Sequence, residues 1–363
     1  MGFGRINRKR GHGIALVPDA LYFTEKAEPA LHLQRHEPSG HVGIVEAPDK
    51  VARVPTDAAT ALTTQNRWVL GARPRTLPAA IAPVLVGTAV GVWTSVGVEA
   101  QFHFIAWRFL CALVVALAVQ VATNYANDYS DGRRGTDDPG RRVGPPRLVG
   151  DGLATPAEVK RAMLVAFGVT LVAGAPLVIL VDWRLALVGV ASVAAGWFYT
   201  GGPSPYGYAG LGEVFVFVFF GLVATVFSAF VQSEQITLLA IGAGAAMGLL
   251  ATALLVVNNL RDIPGDTLSG KRTLAVRLGP PKTRVLYAVC MLGPFILLMF
   301  IAGWSGRLIG AAAFVALPLA NIALTQVFRG AEGQGLIKVL GRTGQVQLVF
   351  GVLLAIGLAI GPV

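Results

Sequence analysis

Two groups of amide and carboxylate residues have the types and spacing to hold a metal and a phosphate. The first is Asn124, Asn127, Asp128 and Asp131 in NYANDYSDGRRGTDD; the second is Asn258, Asn259, Asp262 and Asp266 in NNLRDIPGDTLSGKRT. Asn124 to Asp128 and Asn258 to Asp262 are steps of four, so each pair shares a helix face. Asp131 and Asp266 extend those faces. Each group closes a long apolar run, where a helix presents the negative end of its dipole, and a carboxylate there needs a compensating cation. Carboxylate and amide oxygens are hard ligands suited to Mg²⁺, which keeps part of its water and bridges protein carboxylates to phosphates. Mn²⁺ is the expected substitute, and no Cys/His spacing competes for a softer metal. Two such groups are expected to hold one diphosphate through two Mg²⁺ ions, roughly 3.5–4 Å apart in two-metal sites generally. Arg141, Arg147, Lys271 and Arg272 lie in the same segments, and their donors would stabilise a departing diphosphate.

The elements that must position these groups are membrane helices. Of 363 residues, 54% are hydrophobic and 14% charged, and mean hydropathy is +0.62, against about 25% charged in ordinary soluble domains. Apolar runs of spanning length recur from Leu77 onward. The fold class expected is all-α, a polytopic bundle of about nine transmembrane helices, rather than a β-barrel of short alternating segments. The spans read as 77–96, 104–125, 162–181, 185–199, 214–231, 236–257, 285–304, 308–327 and 346–360. Pro78, Pro83 and Pro294 fall inside them and are tolerated in lipid. Cys111 and Cys290 lie singly in apolar runs and read as small buried hydrophobes.

A net charge of +10 invites a nucleic-acid reading, but the cations are distributed by topology instead. They crowd the segments before span one and after spans two, six and eight, while the opposite side holds little beyond Arg184 and Arg307. The positive-inside bias places the N-terminus and both acidic groups in the cytoplasm, at the plasma membrane. Asn258 and Asp262 each follow their counterparts, Asn124 and Asp128, by 134 positions, an offset compatible with a duplicated bundle. Residues 1–65 are polar and aperiodic, with His12, His32, His36 and His41. They read as a disordered cytoplasmic extension, or a mis-assigned start, rather than as a metal site or a signal peptide. The membrane domain is then 66–363.

A diphosphate leaving group at a lipid interface implies an isoprenoid substrate. Metal on the diphosphate promotes ionisation at the allylic carbon, and an electron-rich acceptor attacks the cation. A cation-coupled transporter would also use an acidic ring, but it needs a polar path through the other half of the bundle, where ionisable residues are few.

From about Trp68 to its end the chain resembles the UbiA superfamily of intramembrane prenyltransferases, NYANDYSD matching the first aspartate-rich motif and NNLRDIPGD the second. The strings ARPRTLPAAIAPVLVGT, VGPPRLV, FYTGGPSPYGYAGLGE and NNLRDIPGDTLSGKRTLAVRLG are similar to the actinobacterial branch that prenylates 1,4-dihydroxy-2-naphthoate in menaquinone synthesis. The resemblance implies helices around a central cavity, open sideways to lipid beneath a cytoplasmic polar cap. It implies Mg²⁺ and a polyprenyl diphosphate, whose chain replaces the naphthoate carboxyl with release of CO₂ and diphosphate. By the same resemblance Asn124, Asp128, Asp131, Asp262 and Asp266 are the metal–diphosphate positions, and Asn127 and Asn259 orienting groups. Lys271 and Arg272 are the basic residues after the second motif. Arg73 and Arg75 precede the first helix near the diphosphate, and Tyr199 and Glu213, which flank the third cytoplasmic loop, are expected to contact the aromatic acceptor. Acceptors of related enzymes, namely 4-hydroxybenzoate, homogentisate, a chlorin or haem, remain alternatives at this stage.

Overall fold

The computed structural model describes residues 66–96, 99–137 and 144–360. Residues 1–65, with their histidines, and Arg141 lie outside the described residues. Helices dominate: α1 (Arg67–Ala72), α2 (Pro78–Gly91), α3 (Ala106–Arg133), α4 (Pro156–Leu180), α5 (Leu185–Phe198), α6 (Gly212–Ser233), α7 (Leu238–Leu268), α8 (Leu274–Ser305), α9 (Leu308–Phe328) and α10 (Gln334–Ala359). Seven of these are long and apolar enough to cross a membrane, and α2 and α5 are shorter apolar helices. Side chains such as Val165, Val172 and Ile179 on α4 stand 67–76% exposed. A row of that kind would be a liability in water and is ordinary against lipid tails. The chain is a multi-pass membrane protein.

Several boundaries differ from the sequence expectation. The first span was expected to reach Val96, but α2 stops at Gly91 and the chain turns into an antiparallel hairpin, β1 (Trp93–Val96) with β2 (Glu99–Phe102). Arg307 holds this end of the bundle. It donates to the Leu358 carbonyl at 3.0 Å and lies over the Trp93 ring, whose indole N–H donates to the Ala359 carbonyl at 3.1 Å. These bonds satisfy carbonyls that the end of α10 leaves without helical partners. At the other end α3 and α7 continue past the predicted limits, to Arg133 and Leu268. The acidic motifs therefore form the last turns of α3 and α7, where steps of four do share a face.

Close packing comes from small residues rather than from a hydrophobic driving force, which lipid does not supply. α6 crosses α7 where Gly221 meets Gly248. A Cβ at Gly248 would stand 2.8 Å from both the Phe217 ring and the Phe217 carbonyl oxygen, so only glycine lets the backbones approach this closely. At that crossing α6 widens into a π-helical stretch over Phe217–Val223. Such a bulge rotates the residues beyond it relative to a regular helix, and Phe215 and Phe219 sit on the wall of the central cavity.

The helix start of α4 is set by a capping box. Thr155 Oγ1 accepts from the Glu158 N–H at 3.3 Å, and the Glu158 carboxylate accepts from the Thr155 N–H at 2.8 Å. Arg67 of α1 pairs with that same Glu158 at 2.9 Å, fixing the segment that carries Arg73.

Candidate active site

The cavity has a volume of about 600 Å³ and is bounded by α2 to α7, with one residue of α10. At the end nearest the motifs its wall is polar: Arg73, Gln120, Asn124, Asn127, Tyr199 and Asn258. The remainder is mostly aliphatic and aromatic, with Thr76, Thr123, Thr170, Ser192 and Ser228 interspersed. One wall is a row of rings. Tyr199 meets Tyr206 edge-on at 5.6 Å between centroids, Tyr206 stacks on Phe215 at 3.9 Å, and Phe215 stacks on Phe219 at 6.0 Å. Each such pair adds about 0.5–1.5 kcal/mol beyond its buried area and stiffens the wall. None of Asp128, Asp131, Asp262 and Asp266 lines the cavity.

Arg73 follows α1 with φ +54, a left-handed conformation that costs a non-glycine residue energy and tends to persist where function over-determines it. Asn124 holds that segment in place by donating to the Ala72 carbonyl at 2.9 Å and to Thr76 Oγ1 at 3.3 Å. The Arg73 guanidinium donates to Asp128 Oδ1. Asp128 is fully buried and accepts twice more, from Arg147 at 3.0 Å and from the Leu148 N–H at 3.1 Å. Asn127 accepts from the Thr200 hydroxyl at 2.9 Å, tying α3 to the segment after α5. Asp131 Oδ2 accepts from Lys271 at 2.8 Å and Oδ1 from the Tyr208 hydroxyl at 2.6 Å.

The second motif is arranged differently. Asp262 accepts a two-pronged bond from its neighbour Arg261, at 2.8 and 2.7 Å. Asp266 accepts from Thr273 Oγ1 at 3.4 Å and makes no ion pair among the described residues. Lys271 links the motifs, since it pairs with Asp131 and lies in the field of Asp266. Burial acts to lower the pKa of Lys271, but the Asp131 carboxylate, the Tyr208 hydroxyl and Asp266 outweigh it and hold the ammonium above its ordinary range.

Other predicted residues separate. Asn259 does not reach the cavity; it donates to Glu213 Oε1 at 3.0 Å behind the wall. Glu213 is buried there, off the cavity lining, and its Oε2 has no hydrogen-bond partner among the described residues. Arg75 and Arg272 are exposed; Arg272 contributes its backbone N–H, donated to the Tyr208 carbonyl at 3.1 Å. Sequence reasoning missed Tyr208, Gln120, Thr76 and Arg134. The signal for Tyr208 was present in the loop string FYTGGPSPYGYAGLGE, but nothing in the spacing distinguishes it from Tyr206.

Hard oxygens at the ends of two facing helices suit a divalent cation, and the donor chemistry fits one. Among the described residues, however, no group of three or more His, Cys, Asp or Glu converges as a ready cage. Arg73, Arg147, Arg261 and Lys271 are instead paired with three of the motif carboxylates, Asp128, Asp262 and Asp131.

Residues 82–340 match the UbiA prenyltransferase family. This chain belongs to that family. It is 46% identical over 299 residues to the 1,4-dihydroxy-2-naphthoate octaprenyltransferase of Mycobacterium tuberculosis, covering 81% of this chain and 97% of that one. The Escherichia coli protein of the same name is 36% identical over 298 residues, covering 80% and 94%. Among solved structures, a UbiA homologue from Archaeoglobus fulgidus bound to DMAPP and Mg²⁺ superposes with a TM-score of 0.56 at 14% identity, covering 80% of this chain and all of that one. The structural likeness extends to the fold, and the family membership makes this chain a prenyl-transferring enzyme.

Proposed function

We propose that this UbiA-family enzyme transfers a polyprenyl group from its diphosphate to 1,4-dihydroxy-2-naphthoate, with loss of CO₂ and diphosphate, in menaquinone synthesis. The observation that carries the reading is the junction of an apolar cavity with two acidic motifs joined by Lys271. Relatives named for that reaction at 36–46% identity support the acceptor.

The chain's own residues divide the work. The aliphatic wall and the ring row take the isoprenoid tail out of water. Asn124 and Asn258, at the polar end, face the point where tail and head meet. Divalent metal, Mg²⁺ by preference and two ions by the number of carboxylate pairs, supplies charge neutralisation of the diphosphate when bound. The proposed ligands are Asp128, Asp131, Asp262 and Asp266 with Asn124. For them to serve, Arg73, Arg147, Arg261 and Lys271 must give up their carboxylates, and a diphosphate supplies replacement acceptors. Leaving those cations buried without partners would be costly, so metal and diphosphate are expected to bind together. Transfer breaks the allylic carbon–oxygen bond, its electron pair leaving on the diphosphate. The ring carbon bearing the carboxylate forms the new bond, and the electrons of the broken carbon–carboxylate bond restore the ring as CO₂ departs.

That sequence needs no base to remove a ring proton. Among the described residues the cavity lining offers no Asp, Glu, His or Lys, its ionisable side chains being Arg73, Tyr199 and Tyr206. An acceptor that expels CO₂ fits this wall better than 4-hydroxybenzoate, which must lose a ring proton. The clustering of Lys and Arg beside the motifs supports a plasma-membrane enzyme with its polar end in the cytoplasm.

The test is incubation of the protein in lipid with labelled polyprenyl diphosphate and either acceptor, with Mg²⁺ or EDTA. Metal-dependent prenylated naphthoquinol with equimolar CO₂ is the expected result. Diphosphate release with product from 4-hydroxybenzoate alone overturns the acceptor. No transfer by folded protein to either acceptor overturns the reading as a whole.

A further inference from the structure

Tyr208 stands on the short 3-10 turn Tyr206–Ala209, between α5 and α6; its N–H bonds the Pro205 carbonyl within the turn, and its hydroxyl and carbonyl face the two motifs. Its hydroxyl donates to Asp131 Oδ1 at 2.6 Å, while Lys271 donates to the other oxygen of that carboxylate at 2.8 Å. The Lys271 ammonium lies 4.6 Å from the centroid of the Tyr208 ring, and the Arg134 guanidinium 5.2 Å from it. The Tyr208 carbonyl accepts from the Arg272 N–H at 3.1 Å. Arg134 adds bonds to the Thr200 and Gly202 carbonyls, so the loop is fastened to the end of α3 at several points. One side chain thus bonds the last carboxylate of the first motif and shelters the cation that follows the second.

We propose that Tyr208 is a positioning residue that aims the Asp131 carboxylate at the metal–diphosphate and holds the two motifs in register. The proposal rests on the reading of Asp131 as a metal ligand. A carboxylate has about four lone-pair directions. With Oδ1 fixed by the hydroxyl, the carboxylate plane is set, and the remaining directions stay constant when Lys271 moves to the diphosphate. Without the hydroxyl, Lys271 alone orients Asp131, and that restraint is lost at the moment the metal arrives. The ring keeps its own part, giving Lys271 a cation–π surface to slide along rather than a desolvated gap.

Tyr208→Phe removes the O–H and keeps the ring, separating positioning from packing. Calorimetric titration of Mg²⁺ into the lipid-embedded protein with inorganic diphosphate present reads the effect directly, and thermal unfolding in EDTA reads the fold. Partners of ligating groups are typically worth roughly 10–100-fold in metal affinity, and a loss of that size is expected, with the unfolding temperature in EDTA unchanged. In turnover, kcat/KM for the prenyl diphosphate should fall by a similar factor while KM for the naphthoate stays constant. Wild-type Mg²⁺ affinity in folded Tyr208→Phe overturns the proposal. Should Tyr208→Phe unfold, Tyr208→His, which restores a ring donor, must recover both fold and part of the affinity; recovery of the fold with no gain in affinity also overturns it. Asp131→Asn is measured beside them. If it too binds Mg²⁺ as the wild type does, the ligand reading of Asp131 falls; if it alone loses affinity, only the role of Tyr208 falls.

Discussion

Asp128 and Asp266 belong to motifs of nearly the same spelling, yet their surroundings have opposite character. Asp128 is fully buried and accepts from Arg73, Arg147 and a backbone N–H, all from other segments of the chain. Asp266 is half-buried, takes one long bond from Thr273, and forms no ion pair among the described residues. The two aspartates of the first motif face three cations, Arg73, Arg147 and Lys271, and those of the second are ion-paired with Arg261 alone among the described residues. The first motif is neutralised and fixed by tertiary structure. The second has its partners nearer in sequence: Arg261 bonds Asp262 on the same helix, and Lys271 acts on Asp266 from just beyond the helix end. Similar motifs thus yield unequal roles: a rigid half that must surrender several cations from other segments, and a half in which Arg261 is the cation paired with a carboxylate among the described residues.

The largest effect expected on this comparison is in Asp128→Asn and Asp266→Asn. Both should lower prenyl transfer by about 100-fold or more, the loss typical of removing one charge-stabilising group. Only Asp128→Asn should also destabilise the fold, by about 3–5 kcal/mol, because two guanidinium groups lose their buried anion. Asp266→Asn should change stability by about 1 kcal/mol or less, the worth of a single weak hydrogen bond. Denaturant unfolding in EDTA decides the matter, and equal losses would erase the contrast. A smaller effect sharpens it. Lys271→Met frees Asp131, so Mg²⁺ binding without diphosphate should tighten about tenfold, or 1.4 kcal/mol, while turnover falls. Weaker binding in that variant would mean that the cation organises the site instead of occupying it.

Both halves of the bundle were legible from hydropathy, because spanning length and the absence of charge dominate in lipid. The acidic motifs were legible because helix-period spacing survives the extension of α3 and α7 to Arg133 and Leu268. The hairpin at Trp93–Phe102 was not: Trp93–Val96 read as the last turn of the apolar run before it, and Glu99 and Gln101 read as the loop beyond. The partners of each carboxylate were not legible either. Arg73 reaches Asp128 through a left-handed backbone residue, and Tyr208 reaches Asp131 from a loop, neither of which follows from local pattern. Glu213 read as an acceptor contact because a charge at a span boundary lacks a structural excuse. The fold provides one in Asn259.

Two minor effects complete the series. The pKa of Lys271 is raised, so its pairing contributes stability fully below the unfolded lysine value of about 10.4 and loses it only at higher pH. The stability difference between wild type and Lys271→Met should therefore be flat from about pH 8 to 10; a slope across that range in thermal unfolding would contradict the pairing. Glu213→Gln keeps an oxygen for Asn259 and lies off the cavity, so KM for the acceptor should stay within about twofold, well under the tenfold that 1.4 kcal/mol of lost contact brings. A large rise in that KM would return Glu213 to the acceptor site.

The central claim is that both motifs form one site in which internal cations are exchanged for metal and diphosphate together. Its most direct measurement is the affinity for Mg²⁺ in lipid-embedded protein, with and without a non-cleavable prenyl thiodiphosphate, in wild type, Asp128→Asn and Asp262→Asn. Each ligand should strengthen the other reciprocally, and the coupling should vanish in both variants. Full coupling in either variant, or Mg²⁺ affinity indifferent to the diphosphate in the wild type, would contradict the account.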